Sequence, residues 1–310
     1  MSEVKVIAEI GCNHKGDMEI AKELIRVAAK VCNAHVAKFQ KRCNRELLSP
    51  VEYATPHPVP ANAYGDTYGA HREFLEFTLD QHRELRDECN ELGIEYSTSV
   101  WDMTSAREVT ELNPTLIKIP SATNQHYDLQ RYLCDNYGGE IHVSTGMTSR
   151  DEIAELIDFY AEQGRSKDLV VYACTSGYPV PFEDLCLLEI NRLQEQFGDK
   201  VKYIGFSGHH LGIAADVAAM TTGIIGEERY GKGKFGYIER HFTLDRTWKG
   251  TDHAASLEPD GLRRLCRDVR NIAKTLTYKS EDVLPIEQVQ RDKLKWKASA
   301  DDGKVVNLAR

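Results

Sequence analysis

Short apolar runs separated by longer stretches of helical spacing recur along the whole chain. The first run, Val4 to Ile10, reads as a strand. After Gly16 and Asp17, the residues Ile20, Leu24, Val27, Ala28 and Val31 fall on one helix face. A second run covers Ala34 to Gln40. The rhythm then breaks in SPVEYATPHPVPANAYGDTYG, whose prolines argue against a helix or central strand and predict a long functional loop.

Beyond that loop the alternation returns. Helices are predicted through Leu85, Cys89 and Leu92, through Ala106 and Val109, near Leu129 and Leu133, and through Ile153, Leu156, Ile157 and Tyr160. Further helices are predicted around Leu187, Ile190, Leu193 and Phe197, from Ile213 to Met220, and through Leu262, Leu265, Val269, Ile272 and Leu276. The strands between them are Ile94 to Thr98, Leu116 to Ile119, Ile141 to Ser144, Leu169 to Cys174, Val201 to Phe206 and Phe235 to Arg240. Eight strand–helix units are the count of an α/β (β/α)8 TIM barrel. An open doubly wound sheet is the alternative, weakened because no GxGxxG or P-loop motif follows any strand. From Leu284 the pattern gives way to charged residues. A barrel is therefore expected over 1–285 and an exposed tail, or the start of a linker, over 286–310.

Composition narrows the class. With 41% hydrophobic and 28% charged residues in 310, the chain is ordinary globular protein rather than collagen-like, coiled-coil or disordered. Its purely apolar runs are only a few residues long, so no membrane helix is expected. The start, MSEVKVIAEIG, enters a strand at once and does not read as a signal peptide, which points to the cytoplasm. A net charge of −9 argues against a nucleic-acid surface but leaves room for a small anion held by a few buried cations. Eight cysteines with no CxxC pair read as reduced thiols.

In a barrel of this kind the loops after the strands converge on one mouth, so the residues ending each strand are the candidates for chemistry. Lysines, serines, histidines and carboxylates finish nearly every one. Lys38 and Lys118 can face each other across the mouth, and with Ser121, Ser144, Ser176 and Ser207 they suit a phosphate-bearing anion. His209 and His241 end adjacent strands and can share a divalent metal. Glu9, with Glu239 or Asp252 as alternatives, supplies a carboxylate for water activation or ligation. A single strand-end lysine is ordinarily a solvated charge, and only the aligned pair speaks for function. His14, His35, His57, His71, His82, His126, His142 and His253 read as structural from position. Cys12 and Cys174, although near the mouth, read as small buried packing. The Tyr64–Tyr68 loop is either a lid or packed surface.

At these strand ends the chain resembles the sialic acid synthase family, the N-acetylneuraminate synthases and their 9-phosphate-forming relatives. The motifs that carry the resemblance are AEIGCNHKGD, AKFQK, LIKIPSATN, STGM, CTSGYPVPFED, IGFSGH and IERHFTLDRTWKGTDHAASLEP, in family order between Val6 and Pro285. TYGAHREFLEF and LDRTWKGTDHAASLEP are especially similar to the branch with the animal 9-phosphate synthase. The resemblance implies condensation of phosphoenolpyruvate with an open-chain N-acyl hexosamine to a nonulosonic acid plus phosphate. It implies manganese or magnesium as the ion, no organic cofactor, and a homodimer. By the same resemblance Lys38, Lys118, Ser121, Ser144, Ser176 and Ser207 hold phosphoenolpyruvate, and His209 and His241 ligate the metal. Glu9, Gln40, Tyr178 and Asp252, joined by Asn62, contact the sugar or the attacking water. A glutamate common in the family is replaced by Thr123, and an asparagine by Ser176. The antifreeze-like domain usual in the family has no counterpart before Arg310, so the expectation is either that the enzyme works without it or that Arg42 or Arg45 supplies its cationic contact. A related synthase with a shorter aldose acceptor and a non-catalytic sugar-binding barrel are the competing readings.

Overall fold

A computed structural model describes residues 3–296. Eight parallel strands close into a barrel in chain order: β1 Lys5–Gly11, β2 Val36–Lys41, β3 Glu95–Val100, β4 Leu116–Ile119, β5 Glu140–Ser144, β6 Leu169–Cys174, β7 Tyr203–Gly208 and β8 Phe235–His241. Closure sets β1 beside β8, with Lys5 opposite Tyr237 and Glu9 opposite His241. The helices of this unit are α1 Met18–Arg26, α2 Asn44–Leu47, α3 Pro50–Ala54, α4 Tyr68–Phe74, α5 Leu79–Leu92, α6 Met103–Leu112, α7 Tyr127–Asn136, α8 Arg150–Glu162, α9 Glu189–Phe197, α10 Ala214–Tyr230 and α11 Pro259–Ala273. The expected TIM barrel is therefore the observed fold.

Two hydrophobic layers hold it together. The outer one packs the helices on the sheet through residues such as Val6, Ala8, Ile10, Leu24, Ile117, Val143, Ile157 and Leu265. The inner one is small, with Ile7, Val36, Leu116 and Val170 joined by Tyr172 and Tyr237 inside the barrel. Strand residues alternate between these two environments, because successive side chains point to opposite faces.

Several boundaries differ from the pattern, each for a physical reason. Strands β3 and β7 run two residues past their predicted ends, to Val100 and Gly208. Their last inward residues, Ser99 and Ser207, are polar because the upper barrel interior is polar, so an apolar run stops too early. Helix α10 continues to Tyr230 rather than ending near Met220. Its continuation carries Gly223 and Gly226, where a Cβ would lie 2.3 Å from Phe235 and 2.0 Å from Gln194 Oε1; close packing demands glycine and hides the helix. The proline-rich stretch is not wholly a loop. Ser49 and Glu52 form a capping box around α3, Pro50 sits in its first turn, and α4 begins at Tyr68. Asp102 caps α6 through Ser105 N at 2.7 Å and accepts from Cys43 N at 2.7 Å, which ties the loop after β2 to the end of β3.

A second unit covers 274–310. Within it Pro285–Leu294, at the start of the stretch expected as an exposed charged tail or linker, forms α12; Pro285 opens its first turn and Lys279 pairs with Glu287 at 2.8 Å. Residues 297–310 of that expected tail lie outside the described residues.

Three histidines are buried as neutral rings. His14 stacks on Phe77 at 4.1 Å, His82 meets Tyr96 Oη at 2.7 Å, and His142 lies within the barrel against Tyr172 Oη at 2.7 Å. Burial lowers their pKa values from 6.5 to about 3, about 3 and about 4 respectively. Below pH 6.5 the unfolded chain therefore binds more protons than the fold. Stability is expected to be level above that pH and to fall below it, by at most about 1.4 kcal/mol per pH unit for each ring. Urea unfolding from neutral pH down to about pH 4.5 measures this, and His82→Gln should flatten the slope; a flat wild-type profile rules the account out.

Candidate active site

Two residues beyond the inner apolar layer, on the same strand faces, stand Glu9, Lys38, Lys118 and Glu239. All four are buried. Lys38 Nζ lies 2.5 Å from Glu9 Oε2 and 3.6 Å from Glu239 Oε2. Lys118 Nζ lies 3.2 Å from Glu239 Oε2 and 3.4 Å from the centre of the Tyr172 ring. Lys38 also donates to Ser99 Oγ, and Ser207 Oγ donates to Glu239 Oε1, both at 3.0 Å. The two lysines thus converge on one carboxylate inside the barrel.

This clustering pushes the two carboxylates apart in proton affinity. Burial raises the pKa of Glu9, against the pull of Lys38. Burial acts the same way on Glu239, but Lys118 and Lys38 together hold it well below the usual carboxylate range. For Lys38 burial is outweighed by Glu239 and Glu9, which raise it; for Lys118 burial and the charge of Lys38 prevail and lower it. A carboxylate kept ionised beside one that takes a proton readily is the arrangement acid–base chemistry needs.

Above the cluster the imidazoles of His209 and His241 lie 5.3 Å apart, and Tyr178 covers them at 4.4 Å and 5.9 Å. Burial first, then His241, lowers the pKa of His209 to about 3, so this ring is neutral. Its Nδ1 donates to Thr175 O at 3.2 Å, which leaves Nε2 with the lone pair. His241 Nδ1 is buried without a hydrogen-bond partner, with Asp252 Oδ2 4.0 Å away. Two such rings suit a divalent ion whose other ligands come from solvent or substrate. Among the described residues, no three His, Cys, Asp or Glu side chains gather closely enough to cage an ion by themselves.

A cavity of about 410 Å3 opens over these groups. Of the residues singled out from sequence, Glu9, Lys38, Gln40, Lys118, Ser121, Ser144, Ser176, Tyr178, Ser207, His209, His241 and Asp252 all line it. Gln40 Nε2 donates to Glu9 Oε1 at 3.2 Å. Asn62 does not line the cavity: Pro60 opens a single 3₁₀ turn that ends at Asn62, and the loop reaches the cavity through His57 and Tyr68 instead. Arg42 lines it as expected, whereas Arg45 stacks on Tyr53 outside it. The loop is also tied to the segment after β8, since Tyr64 Oη donates to Lys249 O at 2.5 Å. Cys12 and Cys174 line the cavity as thiols, with burial pushing Cys12 up to about 12 and raising Cys174 as well.

Sequence reading left out Ser99 and Trp101, took His57 and His71 as structural, and kept Glu239 only as an alternative. All of them line the cavity. For Glu239 the signal was present, since it shares an inward face of β8 with Tyr237 and His241. For Ser99 it was masked by ending β3 early.

A closed parallel barrel with cations, carboxylates and imidazoles at the carboxyl ends of its strands has its polar groups where TIM-barrel enzymes place their active sites. Comparison with known proteins makes the class specific. The chain belongs to the NeuB family, which it matches over residues 24–281. It is 37% identical over 294 residues to the N-acetylneuraminate-9-phosphate synthase of Homo sapiens, covering 93% of this chain and 76% of that one. It is 32% identical over 279 residues to the N,N'-diacetyllegionaminic acid synthase of Campylobacter jejuni, covering 89% and 78%. The crystal structure of an N-acetylneuraminic acid synthetase from Leptospira borgpetersenii in complex with citrate superposes with a TM-score of 0.75 at 25% identity, covering 96% of this chain and 94% of that one.

The hydroxyls at the strand ends leave little space. Gly146 N donates to Ser121 Oγ at 3.0 Å, and a Cβ at Gly146 would lie 2.3 Å from Ser176 Oγ and 2.8 Å from Ser121 Oγ. Gly146→Ala is expected to displace both hydroxyls and weaken binding of inorganic phosphate by about tenfold or more, roughly the loss of one to two charge-assisted hydrogen bonds. Calorimetric titration checks this, and unchanged affinity would separate these serines from anion binding.

Proposed function

We propose that this site joins phosphoenolpyruvate to the aldehyde carbon of an open-chain N-acyl hexosamine, giving a nine-carbon nonulosonic acid and phosphate. The observation that carries the reading is the cluster of Lys38, Lys118, Glu9 and Glu239 directly beneath the His209–His241 pair. In this reading the ammonium groups of Lys38 and Lys118 leave their carboxylate partners for the phosphate and carboxylate of phosphoenolpyruvate. Ser121, Ser144, Ser176 and Ser207 complete the cradle, and Gln40, Tyr178 and Asp252 hold the acceptor.

Carbon 3 of phosphoenolpyruvate forms the new bond to the aldehyde carbon, and the aldehyde oxygen takes up a proton. Positive charge developing at C2 is met by the ionised Glu239. Water then adds to C2 and gives a proton to Glu9, whose burial makes it the readier acceptor. The bond from C2 to the phosphate oxygen breaks, and the C2 hydroxyl passes its proton to the departing phosphate, leaving the 2-keto group. His209 and His241 are the residues that would hold a divalent ion, manganese or magnesium, whose chemistry there is polarisation of the acceptor's aldehyde. The reading needs no organic cofactor. It includes a cytoplasmic homodimer. All eight cysteines are free, as suits a reducing compartment, and no described helix is long and apolar enough to cross a membrane. Met147, Phe182, Leu188 and Leu211, exposed on the loops after β5, β6 and β7, support a partner surface.

Phosphate release from phosphoenolpyruvate with manganese, across N-acyl hexosamines and shorter aldose phosphates, tests the reading. Hexosamine-dependent release is expected, with Lys118→Ala lowering kcat/KM by about a thousandfold or more, as for a lost buried charge contact. Release only with a pentose or tetrose phosphate would move the acceptor class, and no release with any acceptor would remove the enzyme reading.

A further inference from the structure

The outward face of β8 carries one residue that its neighbours do not explain. Ile238 and Phe242, on either side of it along that face, belong to the outer apolar core, yet Arg240 stands between them, buried and charged. Asp216, in the first turn of α10, pairs with its Nη1. His210 completes a wholly buried trio, its Nε2 lying 3.1 Å from Arg240 Nη1 and 3.3 Å from Asp216 Oδ2. Exchanging a buried ion pair for apolar side chains of similar volume is often neutral or stabilising, so folding energy gives no reason for this one.

The reason lies in what the guanidinium reaches. Its Nη1 donates to Gly212 O at 2.9 Å and its Nη2 to His210 O at 2.5 Å. Both carbonyls belong to 209–213, the segment without helix or strand that joins β7 to α10. In the register of the sheet Arg240 lies opposite Gly208. The arginine therefore brackets His209: it is paired through the sheet with the residue before it and holds the carbonyl of the residue after it. Two further bonds fix His209 from the loop after β6, since its Nδ1 donates to Thr175 O and its own carbonyl accepts from Val180 N at 3.0 Å. Arg240 also stands between Glu239 and His241, whose side chains line the cavity. One side chain thus ties the backbone that carries His209 to the strand that carries His241. A planar guanidinium fork holds two carbonyls in a fixed geometry, which a flexible point charge does not.

We infer that Arg240, aimed by Asp216, is a positioning residue that sets the separation of the two imidazoles, 5.3 Å in this structure, and through it the affinity of the pair for a divalent ion. The inference rests on the proposed function, in which His209 and His241 hold that ion. Neither Arg240 nor Asp216 lines the cavity, so the effect travels through the loop and not by contact with ion or substrate.

Binding of Mn2+ alone to the full chain, measured by calorimetric titration and by the paramagnetic resonance of the free ion, tests this without turnover. The double variant Arg240→Met/Asp216→Leu removes both charges together, leaves neither buried ion stranded, and is expected to keep the fold. It should bind Mn2+ about ten- to a hundredfold more weakly, the usual cost of losing a group that orients a metal ligand, while inorganic phosphate binds as it does to the wild type. Arg240→Lys, which keeps the charge but not the fork, should fall between the two. Wild-type Mn2+ affinity in the double variant would overturn the inference. So would an equal loss of Mn2+ and phosphate binding, which marks a general loosening of the barrel mouth. If the double variant does not fold, Arg240→Lys decides, and unchanged Mn2+ affinity there overturns the clamp. His209→Ala separates the clamp from the reading beneath it. Mn2+ binding lost in His209→Ala but kept in the double variant removes only the clamp, whereas Mn2+ binding that survives His209→Ala removes the metal site and the clamp with it.

Discussion

Inside a closed eight-stranded barrel little water remains to solvate an ion, so every charge placed there has to be met by another. Lys38, Lys118, Glu9 and Glu239 meet this requirement together, and they come from β2, β4, β1 and β8. The cluster therefore exists only if the barrel closes, because Glu9 and Glu239 lie on the two strands whose pairing shuts it. It also sets the depth at which the interior changes from apolar to polar. Below it Ile7, Val36, Leu116 and Val170 pack as an ordinary core; above it the strand ends carry hydroxyls and imidazoles. Removing one member would strand its partners as buried charges, which is costlier than replacing the whole cluster with apolar groups.

That self-neutralised state is also a reason the site can receive an anion. The lysines are aimed by carboxylates in the free protein, so an incoming phosphate or carboxylate exchanges one set of anionic partners for another and does not have to organise the cations itself. Tyr172 reinforces this from below, its ring against Lys118 and its hydroxyl against His142. The opposed proton affinities of Glu9 and Glu239 follow from the same geometry, since Glu239 lies near two ammonium groups whereas Glu9 pairs with only one. The chain as a whole is acidic, with a net charge of −9, yet its cavity concentrates cations at both ends. Arg42 and Arg72 make the far end basic by a different means, with both guanidinium groups beside one aromatic ring and Arg42 alone paired to the carboxylate of Glu76.

The sequence by itself determined the barrel. Apolar runs and helical spacing repeated often enough to count the units, because a strand buried on both faces and a helix with one apolar stripe each leave a plain periodic trace. It also determined most of the inner site, because residues at strand ends in a barrel share one mouth whatever the loops do. The trace failed where burial was not apolar. Strands continuing through Ser99 or Ser207 looked finished, and a helix packed through Gly223 and Gly226 looked broken. Only the tertiary structure decided which cation meets which anion. It brought Glu239 between two lysines, and it carried His57 from the proline-rich stretch and His71 and Arg72 from α4 to the cavity while leaving Arg45 and Asn62 outside its lining. Such pairings depend on where loops fold back and on distances of a few ångströms. Spacing along the chain encodes neither, because a loop's path is set by packing against residues far away in sequence.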